Sequence, residues 1–219
     1  MNTRAEANKM QRSALVTDES MNGVGKKLKR VMDIVLSLIV ISLIWPVMLM
    51  VAIGVKLTSK GPVLFKQKRQ GLNGEVFYIY KFRSMKLHAE KTGQVTQAKK
   101  NDSRITSVGR FIRKTSLDEL PQFFNVLRGD MSIVGPRPHA LEHDKYYGEK
   151  IPGYNHRYMT KPGITGLAQI SGCRGETATI EEMKKRIDKD LEYIQAYSLS
   201  LDIKIMVMTP FTLLKGNNY

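Results

Sequence analysis

Two adjacent carboxylates, Asp118 and Glu119, stand inside a run of cations, with Arg113 and Lys114 before them and Arg128 and Arg137 after. An ionised carboxylate oxygen can attack phosphorus, and a neighbouring carboxylate can hold a divalent cation against phosphate charge. The local pattern predicts a short helix entered at Asp118. Asp is a good N-cap, Pro121 falls in the first turn, and Gly129 can end the helix. There the positive end of the helix dipole and the nearby cations keep the Asp118 carboxylate charged. A purely structural reading uses the same residues: Ser116-x-x-Glu119 fits a capping box, and Asp118 would then be a cap and nothing more.

The wider stretch weighs against the cap. Leu117-Asp-Glu-Leu-Pro-Gln122, Phe124-Asn-Val-Leu-Arg-Gly-Asp-Met-Ser132 and Val134-Gly-Pro-Arg-Pro138 follow one another in order. This succession resembles the signature of the bacterial sugar transferases, the monotopic polyprenyl-phosphate phosphoglycosyl transferases. The likeness extends from Lys29 to about Gly216. It implies an enzyme that moves a sugar 1-phosphate from a UDP-sugar, glucose or galactose, to polyprenyl phosphate and releases UMP. By the same likeness Asp118 is the nucleophile, forming a phosphosugar-aspartate intermediate, and Glu119 is the Mg2+ ligand. Arg113 and Arg137 hold the diphosphate, with Lys81 and Arg83 as further substrate-binding cations.

Composition sets broader limits. The chain has 219 residues, enough for one domain with a real core, and 35 Lys and Arg against 20 Asp and Glu give a net charge of +15. Such an excess suggests an anionic partner: nucleic acid, acidic lipid or phosphorylated small molecules. Aromatics are not interleaved with the cations as in a nucleic-acid recognition motif, so nucleic acid is not expected. Cys173 is the only cysteine, which rules out an internal disulfide. His139 and His143 share a helix spacing but have no companion ligand, and an ordinary polar face is the simpler reading.

The elements that must position the dyad follow in order. Residues 1–25 are polar and aperiodic and read as a disordered tail with no cleavable signal peptide. Residues 26–58 then form an apolar segment of membrane-spanning length. Pro46 sits mid-segment, where it should kink a helix, and both flanks are basic, against the charge asymmetry of a simple span. A kinked helix that enters the cytoplasmic leaflet and returns satisfies both features, and the family resemblance implies this re-entrant hairpin. Trp45 stands where the family often has Ser.

Residues 59–219 are expected to form a cytoplasmic catalytic domain. Two short strands, from Val63 and from Val76, flank a turn containing Asn73-Gly74. The second runs into Tyr80-Lys-Phe-Arg-Ser-Met85, which resembles a family motif; Lys81 and Arg83 share strand parity, so both can point to one face. An exposed cationic strand face is the alternative. Residues 88–103 read as a mobile loop. In Val134-Gly-Pro-Arg-Pro138 two prolines restrict the backbone around Arg137; by resemblance this motif lies at the donor diphosphate. Arg157 to Gly172 holds a second family block, Lys-Pro-Gly-Ile-Thr-Gly-Leu-Ala-Gln169, a loop with closely approaching backbone. Arg174-Gly-Glu-Thr177 looks like the branch that transfers glucose 1-phosphate.

Thr179-x-x-Glu182 opens a helix to about Ser198. The apolar stretch from Leu199 to Lys215, interrupted by Asp202, Lys204 and Pro210, reads as a broken helix at the membrane surface or against the re-entrant one, with a buried core helix as the rival. The expected fold is a small α/β membrane-associated domain, mostly helical, with a re-entrant membrane helix and a short β-hairpin. Its place is the cytoplasmic face of a bacterial inner membrane, in the first membrane step of exopolysaccharide or capsule synthesis. A homo-oligomer is compatible with the sequence. Two other readings stay open here: a basic membrane scaffold without turnover, and a glycosyltransferase that releases UDP.

Overall fold

The computed structural model of the protein describes residues 23–87, 102–175, 177 and 179–214. Almost all of the expected mobile loop at 88–103 lies outside the described residues, as does nearly the whole of the expected tail. The architecture is mostly helical, with two small two-stranded sheets.

Helix α1 spans Gly23–Thr58 and stays helical through Pro46. Its N-terminal half is bolted to the domain by polar groups. Lys29 Nζ donates to Asp202 at 2.6 Å and to the Val134 carbonyl at 3.1 Å. Asp33 Oδ1 accepts from Ser132 Oγ and from the Ile133 N–H. Arg30 caps the far end of another helix by donating to the Val126 and Leu127 carbonyls. The C-terminal half is held differently, by a small apolar cluster of Val51, Val55, Phe82 and Ile112. Between these two attachments Leu38, Ile39, Leu43 and Trp45 are about half exposed or more.

Strands β1, Leu64–Gln70, and β2, Val76–Phe82, form an antiparallel hairpin in which Phe65 faces Lys81 and Gln67 faces Ile79. Asn73 takes the left-handed conformation in the connecting turn, as an Asn-Gly hairpin signal requires. Helix α2, Ser107–Lys114, is capped by Thr106, whose hydroxyl accepts from the Gly109 N–H. It crosses close to the exit of β2; a Cβ on Gly109 would stand 1.9 Å from the Ser84 carbonyl oxygen. Helix α3, Gln122–Arg128, ends at Gly129 with φ 95°, the expected glycine C-cap. Asn125 docks α3 onto β2 by mimicking a strand: Oδ1 accepts from the Tyr80 N–H and Nδ2 donates to the Tyr78 carbonyl. The site's cationic strand and its acidic turn are thereby fixed to each other.

Strand β3, Ser132–Val134, pairs in parallel with β4, Gly163–Thr165. A Cβ at Gly163 would fall 2.1 Å from the Gly135 nitrogen, so the expected close approach of backbone at this block is present. Helix α4 covers Leu141–Lys150, α5 covers Leu167–Ile170, α6 covers Ile180–Gln195 and α7 covers Leu199–Leu214. The capping box of Thr179 and Glu182 opens α6 as expected, and Met183, Ile187, Leu191 and Ile194 face the main core. Helix α7 is continuous through Pro210, where a break was expected. Asp202 and Ile205 are buried, with Asp202 against α1, while Ile203, Val207, Met208 and Phe211 are exposed.

Candidate active site

The dyad sits in a single turn of 3-10 helix, Leu117–Glu119, and not at the start of an α-helix. Helix α3 begins three residues later, behind Pro121, because proline's fixed φ suits a helix start and it has no N–H to leave unpaired. The capping box is also not made. Ser116 lies in the left-handed region at φ 59°, and its hydroxyl accepts from Arg174 Nη2 at 2.8 Å. A left-handed serine is strained, and strain of this kind is kept where a structure must present a neighbouring group. Here it turns Asp118 onto the wall of a cavity of about 110 Å3, lined by Lys81, Arg113, Ser116, Asp118, Glu119, Arg137, Arg174 and Gly175.

The two carboxylates are adjacent yet electrostatically opposite. Arg137 grips Glu119 with both terminal nitrogens, one at 3.1 Å from Oε2, and Lys81 Nζ lies 2.8 Å from Oε1. Burial by itself would raise the Glu119 pKa, but Arg137 and Lys81 hold it well below the usual carboxylate range. Asp118 makes no hydrogen bond or ion pair among the described residues. Burial, and then the Glu119 charge, push its pKa up to about 6, against the pull of Lys81, Arg113 and Arg137. Proximity to cations therefore does not dominate at Asp118 as the sequence suggested, because the cations are spent on its neighbour. Above pH 6 it is still an anion, and one whose basicity suits a nucleophile better than an ordinary aspartate's.

Of the cations expected at the site, the structure brings together Lys81, Arg113 and Arg137 and leaves out Arg83. Arg83 lies one residue past β2, is 4% exposed, and donates to the carbonyl and hydroxyl of Ser59. Strand parity fails as a guide there because the strand ends at Phe82. Arg128 also points elsewhere, to the Tyr80 hydroxyl. Two cavity residues went unassigned by sequence reasoning, Ser116 as a binder of Arg174 and Arg174 itself. The Arg-Gly-Glu-Thr block was a signal for the second, but nothing local tied it to the dyad 58 residues away.

Among the described residues no group of three or more Asp, Glu, His or Cys could hold a metal. His139 is buried against Tyr154 and Arg157, and burial, with Arg157 next, lowers its pKa well below the ordinary value. Mg2+ needs less than such a group, since it is commonly held by one or two carboxylates together with substrate phosphates. Glu119 has the donor chemistry for this, and such an ion would take an oxygen that Lys81 or Arg137 bonds in this structure.

A sequence-family model described as bacterial sugar transferase matches residues 24–216. Proteins named UDP-glucose:undecaprenyl-phosphate glucose-1-phosphate transferase from Klebsiella pneumoniae and Escherichia coli are 54% and 55% identical over 194 residues. These alignments take in 89% of this chain but 42% of either relative, so the chain spans under half of their length. A protein of the same name from Caulobacter vibrioides is 51% identical over 191 residues, covering 87% of this chain and 71% of the relative. With nearly the whole described fold, dyad and cavity included, inside the matched region, the chain belongs to the bacterial sugar transferase family.

Proposed function

We propose that the protein transfers a hexose 1-phosphate from a UDP-sugar to polyprenyl phosphate and releases UMP. The observation that carries this reading is the contrast within the dyad: Glu119 is held by Arg137 and Lys81, while Asp118, without a hydrogen bond among the described residues, lines a cavity that it shares with Lys81, Arg113, Arg137 and Arg174. In the first step an Asp118 oxygen attacks the β-phosphorus. The bond from that phosphorus to the bridging oxygen breaks, UMP leaves with the electron pair, and the phosphosugar stays on the carboxylate. In the second, a phosphate oxygen of the lipid attacks the same phosphorus and Asp118 departs as carboxylate. Arg137, Arg113 and Lys81 face the developing diphosphate charge. Glu119, beside the nucleophile, would hold a Mg2+ carried in by the donor, and that ion would supply further charge neutralisation at the phosphates. UDP-glucose is the first donor to try, in keeping with the names of the three relatives.

The lipid acceptor asks for a site at a membrane surface, and α1 supports one. Lys29 and Val55 both touch the same domain although about 39 Å of helix separates them at 1.5 Å per residue. A straight crossing of a hydrocarbon layer about 30 Å thick would put these contacts on opposite sides. A segment that dips in around Leu43 and Pro46 and returns keeps both on one side. The apolar face of α7, with Val207 and Phe211, would lie in the interface, and the working place is the cytoplasmic face of a bacterial inner membrane. Exopolysaccharide or capsule assembly is the process such a product would enter.

The test is the nucleotide released when the full chain, reconstituted in lipid, meets polyprenyl phosphate, Mg2+ and a panel of UDP-hexoses. UMP is expected, and its loss in Asp118→Asn would fix the nucleophile. Release of UDP would overturn the mechanism, and no nucleotide from any UDP-hexose would overturn the donor class.

A further inference from the structure

Behind the Pro136-Arg137-Pro138 loop lies a second charged cluster. Arg157, 3% exposed, donates to the backbone carbonyl of Arg137 and to the Tyr154 hydroxyl at 3.0 Å, and it bonds His139 Nδ1. Its anionic neighbours are Asp190 at 3.4 Å and Asp144 at 3.9 Å. The Tyr154 hydroxyl in turn donates a hydrogen bond to Asp144 Oδ1, at 2.7 Å. Arg157 has no acceptor, so the His139 nitrogen must accept, which makes the ring neutral and adds no charge to the cluster. One residue along the loop, the Pro138 carbonyl accepts from Arg69 at 3.4 Å.

We propose that Arg157 is a positioning residue for donor binding: it fixes the Arg137 backbone so that the Arg137 side chain can leave Glu119 for the diphosphate. This deepens the transferase reading and rests on it. The argument is mechanical. Arg137 is paired to Glu119. A diphosphate that takes this guanidinium needs the side chain to change partners while its backbone stays in place. Two prolines restrict the torsions, but they leave the Arg137 carbonyl without an N–H partner from a regular ladder. Arg157 supplies that partner from a buried position, and only a planar fork reaches carbonyl, hydroxyl and imidazole together. Asp190 supplies the countercharge that lets a guanidinium sit there at all.

The experiment compares UMP release from UDP-glucose by the lipid-reconstituted full chain in Arg157→Lys, Arg137→Ala and the double variant. Arg157→Lys is expected to raise KM for the donor about ten-fold with a smaller change in kcat. In the Arg137→Ala background the same substitution is expected to change kcat/KM less than about two-fold, because the group it positions is gone. UDP binding by titration calorimetry gives the same comparison where turnover in that background is low. An equal loss in both backgrounds would make Arg157 purely structural, and wild-type kinetics in Arg157→Lys would remove it from donor binding; either overturns the proposal. If Arg157→Lys melts at the assay temperature, Asp190→Asn keeps the side-chain volume and is expected to show the same background dependence at about three-fold. An active wild type with indifferent variants sinks this proposal alone, whereas a wild type releasing no UMP sinks the transferase reading with it.

Discussion

The molecule holds two clusters built from the same parts, arginines against carboxylates out of bulk water. One joins Lys81, Arg137 and Glu119 at the cavity; the other joins Arg157, Asp190, Asp144 and Tyr154 behind it. In the first, ion pairs line open space, so a phosphate can compete for the cations. In the second, Arg157 and Asp190 are each under 5% exposed, and no competitor has room. Identical chemistry thus yields an exchangeable site in one place and a fixed support in the other, and the difference is the cavity. Burial without a cavity also shows in Asp190, whose pKa is pushed up to about 6 by desolvation despite Arg157 and Arg186.

The largest break in this contrast is Asp118→Asn. Turnover should fall at least about a thousand-fold with the fold intact, as expected for a lost nucleophile. The same variant should be more stable at neutral pH. Asp118 has a folded pKa of about 6 against 3.8 for an ordinary aspartate, so the native state binds more proton between those values. Stability contributed by this group is therefore greatest below pH 4, falls as pH rises, and is fully lost above pH 6, by roughly 1–3 kcal/mol. Melting curves of wild type and Asp118→Asn should separate at pH 7.5 and converge below pH 4; a variant less stable than wild type at pH 7.5 would contradict the assigned burial. For the wild type, UMP release should decline as pH falls through about 6, where the nucleophile takes its proton.

Glu119→Gln comes next, because it leaves Lys81 and Arg137 without their anion. Turnover should drop about a hundred-fold and the Mg2+ titration should shift to higher concentration. Thermal stability should fall by about 2–4 kcal/mol, since breaking one side of a buried pair strands the other charges. An unchanged Mg2+ titration would count against the metal role. Arg113→Ala should raise the donor KM about ten-fold, as for a cavity cation that meets phosphate. The smallest effect is expected from Arg83→Ala: kinetics within about two-fold of wild type, but a stability loss of about 1–2 kcal/mol from the abandoned Ser59 bonds. A large KM effect there would return Arg83 to the donor site.

The adjacent carboxylates, the glycine that ends α3, the capping box of α6 and the hairpin turn were all legible in the chain, because each depends on residues a few positions apart. The placement of Arg83 away from the cavity and the silence on Arg174 have one cause. Strand parity says which way a side chain starts, but the end of a strand and the arrival of a distant loop are set by packing.

The sequence by itself determined the family, the identity of the dyad and the apolar length of α1, since these are properties of residue order and local propensity. Only the tertiary structure decided which carboxylate is held charged by cations and which is left to desolvation. That division follows from Lys81 and Arg137, 38 and 18 residues from Glu119, converging on it and leaving Asp118 to burial. It likewise decided that both ends of α1 meet one domain, because the Lys29–Asp202 pair spans 173 residues and no local rule links them.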